Sequence, residues 1–366
     1  RNDRGIYFFD SLCQLISAHF NSDNSALISS TVESFMIKSI KIIVFSVFFL
    51  VAVLCLLYKD TLTDIYQAAS MFKEENLVES FRSMYKLRPS RKVAKGDTPF
   101  ELELALDELP ETFFYNGQPV DLQGYLDRTI TTGFLVMADD KIKYEQYYLG
   151  ANKDTLFASQ SMGKSFVSAL LGIAIANGDV KSVHDPVTQY VPELKGSAFD
   201  GVTIKHCLNM ASGVKFNEDY GDLTSDINRM SLSMLMGKPI ESFMATLERE
   251  SEPGTYNHYV SINTHVLGMV LTKATGKTIT EYMQEKLYEP LGMEFDGYWL
   301  IDGKNMEMAL GGLNLTLRDF SKIGSLYLHD GSWNDKQIVN KDWVKSSLTA
   351  DAPHLLPEGD SLGYGY

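Results

Sequence analysis

The stretch Thr155–Val180, TLFASQSMGKSFVSALLGIAIANGDV, decides how the chain is read. From Phe166 to Ile175 nearly every residue is apolar or small, and Asn177-Gly178 is a stop signal, which predicts a helix buried on most sides. Ser161 and Lys164 stand at its entrance, and a spacing of three puts both side chains on one face of the first turn. A lysine amine placed there can take the proton of a serine hydroxyl, and the helix N-terminus favours the negative charge that develops. The bare S-x-x-K pattern discriminates little, because it occurs four times: Ser70/Lys73, Ser83/Lys86, Ser161/Lys164 and Ser212/Lys215. The first two have no apolar helix behind them, and the fourth crosses the turn-like Ser212-Gly213. For Ser161 the plain alternative is a helix cap beside a solvated Lys164.

Composition narrows the possible partners. A net charge of -14 without any basic cluster argues against nucleic acid, since phosphate binding needs concentrated Lys and Arg. The three cysteines, Cys13, Cys55 and Cys207, have no metal-binding spacing and suggest no disulfide framework. The seven histidines form no H-x-H or H-E-x-x-H pair, so no metal is expected, and no other cofactor or protein partner is indicated.

The N-terminal part reads as a membrane anchor. Residues 1–35 show no periodicity and are expected to be an irregular extension. The first residue is Arg, so this part is expected to be either a fragment end or sequence upstream of a natural start at Met36. From Ile42 to Tyr58 run seventeen residues without a charge, flanked by Lys41 and Lys59. As a helix this run covers about 25 Å, close to the ~30 Å hydrocarbon core once snorkelling lysines are allowed. The run lacks the polar face of a soluble helix, and no A-x-A cleavage site follows closely. Residues 36–60 are therefore expected to be a signal anchor. Lys38 and Lys41 on its N-terminal side place the bulk of the chain in the periplasm or outside the cell by the positive-inside rule.

Residues 61–130 are expected to be a juxtamembrane spacer and domain entry, with Arg88-Pro89-Ser90-Arg91-Lys92 near the end of the spacer proper. The folded domain, 131–366, becomes legible at Gly133–Gly150, where two apolar runs flank Asp139-Asp140 in a predicted hairpin. Ile142, Tyr144 and Tyr148 share one face of its second strand, so the sheet has one buried side. Val202–Gly213 is expected to be a short helix ended at Ser212-Gly213. The overall expectation is an α/β (α+β) fold, an antiparallel sheet flanked by helices plus an all-α lobe. Glu252–Gly268, EPGTYNHYVSINTHVLG, then places Tyr259 to Ser261 in a loop before a helix from about Thr264. A tyrosine held there can relay a proton as phenolate or neutral donor, or can simply pack.

With these residues in place, the chain resembles the serine β-lactamase and penicillin-binding-protein superfamily, in the branch typified by 6-aminohexanoate-dimer hydrolases. The resemblance spans roughly Gly133 to Tyr366. It rests on six ordered blocks: SQSMGKSFVSALLGIAIANG, SVHDPVTQYVPEL, VTIKHCLNMASGVKFNEDY, EPGTYNHYVSINTHVLG, YEPLGM and GGLNLTLRDFSKIGSLYLHDG. It implies a β-lactamase/transpeptidase-like fold and an acyl-enzyme mechanism. Ser161 is then the nucleophile, Lys164 its general base and Tyr259 the loop tyrosine, with the Ser161 backbone N–H as half an oxyanion hole. Lactamase relatives carry Asn two residues after that tyrosine. Ser261 stands here instead, as in the linear-amide hydrolases, and Tyr220 matches a tyrosine near their substrate. The resemblance also implies a third wall, a strand carrying His or Lys then x-Gly. No such strand occurs before Tyr366, so the C-terminal strands are expected to lie beyond it.

The function expected is a membrane-anchored serine hydrolase acting on a small-molecule amide or ester. A β-lactamase or D-Ala-D-Ala carboxypeptidase is the alternative within the fold. A non-catalytic sensor module is the alternative outside enzymology, and the presence of both Ser161 and Lys164 weighs against it.

Overall fold

The structure is a computed structural model that describes residues 22–59, 62–63, 66, 70, 73–356 and 363–366. It divides into two units, Arg1–Thr63 and Asp64–Tyr366. In the first, one helix, α1, runs from Ser22 to Leu57. No Gly or Pro interrupts that span, so once started the helix propagates at little cost per residue. It thus covers residues 22–35, where an irregular extension was expected; residues 1–21 lie outside the described residues. Within it Met36–Leu57, 22 residues with a mean hydropathy of 3.0 and no buried share, is long and apolar enough to cross a membrane.

The second unit begins with a helix, α2 (Glu74–Leu87), then strands β1 (Ser90–Val93), β2 (Glu103–Leu104), β3 (Thr112–Tyr115) and β4 (Gln118–Asp121). The Arg88–Lys92 stretch is therefore not spacer, because β1 pairs antiparallel with β8 (Gly297–Leu300), Ser90 opposite Leu300 and Val93 opposite Gly297. Its polar sequence hides this: Val93 alone is buried, and a partner some two hundred residues away makes it a strand. β3 and β4 close on Asn116-Gly117, both at positive φ (49° and 75°), the turn geometry that Asn-Gly favours.

β5 (Gly133–Ala138) and β6 (Lys141–Tyr147) form the expected hairpin, with Asp139 and Asp140 at φ 53° and 59°. A bulge after Val136 shifts the register, and β2 adds to β6 in parallel, a departure from the all-antiparallel expectation. β7 (Phe157–Ala158) pairs with β9 (Leu313–Leu315), which pairs with β8, giving a sheet ordered β1-β8-β9-β7.

Between β7 and β8 lies the helical lobe. Its two central members are α3 (Gly163–Asn177), buried at Gly163 and from Phe166 to Ala174, and α4 (Ile262–Thr275), buried from Ile262 to Leu271. They pack against each other, which explains why neither shows a polar stripe. Gly178, at φ 81°, ends α3 as the sequence indicates. The Val202–Gly213 segment is shorter in helix than expected. It spans Ile204–Leu208 and stops where Met210 takes φ 51°, because the chain there turns to meet the Tyr259 loop. After β9 a helix, α5 (Leu317–Leu328), packs on β5.

Gly172 sits mid-helix in α3, with Trp343 lying flat against it, so that an added Cβ would meet three ring atoms at 2.6 Å. Helix propensity alone gives Gly172→Ala a gain of about 1 kcal/mol. Overpacking costs about 1–3 kcal/mol, and Trp343 is itself buried, so the net effect is expected to be a loss of stability. The urea midpoint of the variant should fall. A rise would mean that Trp343 moves aside freely.

Candidate active site

The turn that carries Ser161 is fixed before the helix starts. Ser159 N–H donates to Leu313 O at 2.7 Å, continuing the β7–β9 pairing. Gln160 then adopts φ 46°, an uncommon conformation for a residue with a side chain. Ser161 follows in a short 3-10 turn, Gln160–Met162, and α3 proper begins at Gly163. Two glycines permit this approach. A Cβ on Gly163 would lie 2.7 Å from Ser159 Oγ, and one on Gly311 would lie 3.0 Å from the Gln160 backbone.

Ser161 is exposed, and no side-chain cap bond forms at either helix start, so the plain alternative of a capping serine does not describe it. Lys164 Nζ donates to Ser161 Oγ at 2.9 Å and to Leu310 O at 2.6 Å. Burial pushes the Lys164 amine down to about 8, partly opposed by the Glu218 charge. Lys164 is therefore neither solvated nor an ordinary surface lysine.

Tyr259 comes from the loop ahead of α4, and backbone bonds to the 209–216 segment hold it. Gly254 N–H donates to Ala211 O at 2.7 Å and His258 N–H to Met210 O at 2.8 Å. Asn257 Nδ2 donates to Asn209 O at 2.8 Å, and His258 Nε2 lies 3.0 Å from Phe216 O. The Tyr259 ring lies under the Lys164 ammonium, with Nζ 5.2 Å from its centroid. Burial raises the Tyr259 pKa, the Glu218 charge adds to this, and the Ser161 and Ser261 hydroxyls work against it. The ring therefore carries a neutral hydroxyl at neutral pH.

Glu218, which the sequence reading did not single out, joins the remaining residues. It accepts from the Ser261 backbone N–H at 2.8 Å, from the Ser261 hydroxyl, and from the Tyr220 hydroxyl at 3.4 Å. Tyr220 stands exposed at the mouth, its pKa pushed up to about 12, first by burial of part of the ring and then by Glu218. Burial first, then Tyr259 and Glu218, raise the pKa of Tyr364, so the 363–366 segment reaches this site. The structure thus gathers Ser161, Lys164, Tyr259, Ser261 and Tyr220 in one place. Glu218 could be found in sequence only as the acidic residue two before Tyr220 in the block KFNEDY, and Leu310 acts through its carbonyl, which no sequence displays. Ser83 lies on α2, and Ser70 and Ser212 are buried. Among the described residues no group of three or more His, Cys, Asp or Glu side chains could hold a metal ion.

Comparison with known proteins gives the family to which this fold belongs. A beta-lactamase family model matches residues 122–366. The 6-aminohexanoate-dimer hydrolase of Paenarthrobacter ureafaciens is 30% identical over 288 residues, 76% of this chain and 71% of the relative. The esterase EstB of Burkholderia gladioli is 29% identical over 160 residues, 40% of this chain and 39% of the relative. Among solved structures, a Bacillus anthracis protein provisionally described as a 6-aminohexanoate-dimer hydrolase superposes with a TM-score of 0.73 at 22% identity. That alignment covers 81% of this chain and 80% of the other. A serine with a lysine amine bonded to its hydroxyl, set on this fold and matched over this length, identifies the chain as a serine hydrolase that belongs to the beta-lactamase family.

Proposed function

We propose that this protein cleaves a linear amide or ester bond through an acyl-Ser161 intermediate, with Lys164 as general base and Tyr259 as proton relay. The observation that carries this reading is the 2.9 Å bond from a largely desolvated Lys164 amine to the Ser161 hydroxyl. The free amine takes the Ser161 proton as Oγ attacks the carbonyl carbon, and the Ser161 N–H supports the oxyanion. Collapse of the tetrahedral intermediate breaks the bond to the leaving group. Tyr259 hands that group a proton and recovers one from the Lys164 ammonium. Water then attacks the acyl ester along the same route in reverse, freeing the acid and Ser161.

A linear substrate is favoured over a β-lactam by Ser261, which stands where lactamase relatives carry Asn. It is buried and its hydroxyl proton is committed to Glu218, so it gives substrate no donor of the kind an Asn amide supplies. The similarity to a 6-aminohexanoate-dimer hydrolase and to an esterase points the same way. Tyr220, exposed beside Glu218, is the aromatic surface we assign to substrate contact. The Met36–Leu57 helix serves as the membrane anchor, with Lys38 and Lys41 on the cytoplasmic side and the hydrolase unit outside or in the periplasm.

Ser161→Ala is expected to remove labelling by a fluorophosphonate and to lower turnover by at least about 10⁴-fold. Ser83→Ala and Ser212→Ala should keep both. Labelling that survives in Ser161→Ala would sink the assignment. Labelling of the wild type by a fluorophosphonate but not by a labelled penicillin separates the linear hydrolase from the lactam reading. Tyr259→Phe keeps the ring and should lose about 10²-fold in kcat with an unchanged Tm.

The pH dependence follows from the Lys164 amine, which accepts a proton only in its neutral form. Since its pKa lies at about 8, kcat/KM for p-nitrophenyl acetate should rise with pH through that value and then level off. A rate constant across about pH 6 to 9 would exclude Lys164 as the base. Protein expressed from Met36 should remain in membranes after alkaline carbonate washing, with its C-terminal unit open to external protease. Release as a shortened soluble chain would mean that the helix is cleaved off.

A further inference from the structure

Ser261 occupies the residue before α4, where a serine hydroxyl normally caps the helix, yet it makes no cap bond. Its hydroxyl and its backbone N–H both turn to Glu218 instead. Ser261 is buried and two residues from Tyr259, so whatever fixes Ser261 fixes the stretch of chain that presents Tyr259 to Lys164. A carboxylate is a suitable clamp here, because it accepts two bonds at once and sits favourably at a helix N-terminus.

We propose that Glu218 is the positioning residue of this site: its paired bonds to Ser261 hold Tyr259 beside Lys164 and keep its own charge at the Ser161–Lys164–Tyr259 cluster. The proposal rests on the reading of Lys164 as general base given above. Three groups contact that amine, and a fourth acts on it through its charge. The Ser161 hydroxyl comes from its own turn, the Leu310 carbonyl from the approach to β9, the Tyr259 ring from the loop before α4, and Glu218 from the segment after Phe216. Tyr220 and Tyr364 lie beyond Glu218 and are neutral at the pH of catalysis. Of these four groups Glu218 alone brings a full charge. It keeps the amine more basic than burial alone would leave it.

Two opposed effects of Glu218→Gln follow. The amide is the same size but cannot accept both Ser261 bonds as a carboxylate does, so Tyr259 loosens and kcat falls. With the charge gone the Lys164 amine loses its proton at lower pH, so the acid limb moves down. A residue that merely braces the loop would give the first effect without the second.

The test uses the full chain. The rate of fluorophosphonate labelling of Ser161 is measured against pH for wild type, Glu218→Gln and Glu218→Asp, together with kcat and KM for p-nitrophenyl acetate. For Glu218→Gln the acid limb should fall by about one pH unit. Its kcat should fall about 10- to 100-fold, with little change in KM. Glu218→Asp, which keeps the charge on a shorter arm, should hold the limb near the wild-type position while kcat stays low. Ser261→Ala, which removes one clamp bond and leaves the charge, should lower kcat with the limb unmoved; this variant serves if Glu218→Gln fails to fold. A Glu218→Gln limb coincident with wild type, or equal shifts in the Gln and Asp variants, overturns the proposal while leaving the hydrolase reading intact. A movement of the limb in Ser261→Ala, where the charge is kept, overturns it as well. Wild-type labelling that persists in Ser161→Ala overturns both.

Discussion

The 2.6 Å bond from the Lys164 ammonium to the Leu310 carbonyl joins the helical lobe to the sheet at the point where the chemistry sits. Lys164 belongs to the first turn of α3, and Leu310 lies just before β9, on the chain that pairs with β7. The same seam is closed by Ser159 N–H to Leu313 O and by the close passage of Gly311 along Gln160. An amine held between a carbonyl and the Ser161 hydroxyl, mostly out of water, cannot keep an ordinary lysine pKa. Burial favours its neutral form, and neutrality is what a base needs. Packing and reactivity are therefore one arrangement here, and loosening the seam would return Lys164 to solvent.

A second set of buried charges orders the sheet side of the unit. Lys322, fully buried in α5, donates to Phe100 O and Gly292 O at 2.7 Å each and lies 3.4–3.5 Å from Glu294 and Asp319. Asp319 accepts from the backbone N–H groups of Glu294 and Phe295, and Arg318 makes a bidentate pair with Glu145 on β6. Such a network adds little net stability against a well-packed apolar one, but removing a single member leaves a bare buried charge at a cost of about 3–5 kcal/mol. It ties α5 to the β5–β6 hairpin and to the 292–295 segment. Tyr147 shares this site, and burial beside Glu145 raises its pKa far above the ordinary phenol range.

Around Ser161 the loops are held mainly by backbone groups. The 209–216 segment offers carbonyls from Asn209, Met210, Ala211 and Phe216 to the Tyr259 loop, and Met210 reaches its position only through a left-handed φ. Conformations of this kind persist where the surroundings over-determine them. Glu218, just after that segment, adds a carboxylate clamp on Ser261 to the side-chain bonds of Asn257 and His258.

The sequence by itself determined what local patterns encode. The apolar run from Phe166 to Ile175 and its glycine stop defined α3, Asp139-Asp140 defined the β5–β6 turn, and S-x-x-K at a buried helix start set Ser161 apart from Ser70, Ser83 and Ser212. Ordered blocks then indicated the fold. What the sequence left dark depends on partners far along the chain. Ser90–Val93 looks like charged linker until Gly297–Leu300 is laid beside it. The Thr112–Asp121 hairpin carried a legible Asn116-Gly117 signal that its weak strand alternation obscured. Glu218 was one acidic residue among 47 until folding brought Ser261 to it, and the Leu310 carbonyl has no side-chain signature at all. Spacing along a helix fixes which side chains share a face. The desolvation of Lys164 and the charge that opposes it are set by atoms from three other segments, so only the tertiary structure decided how basic that amine is.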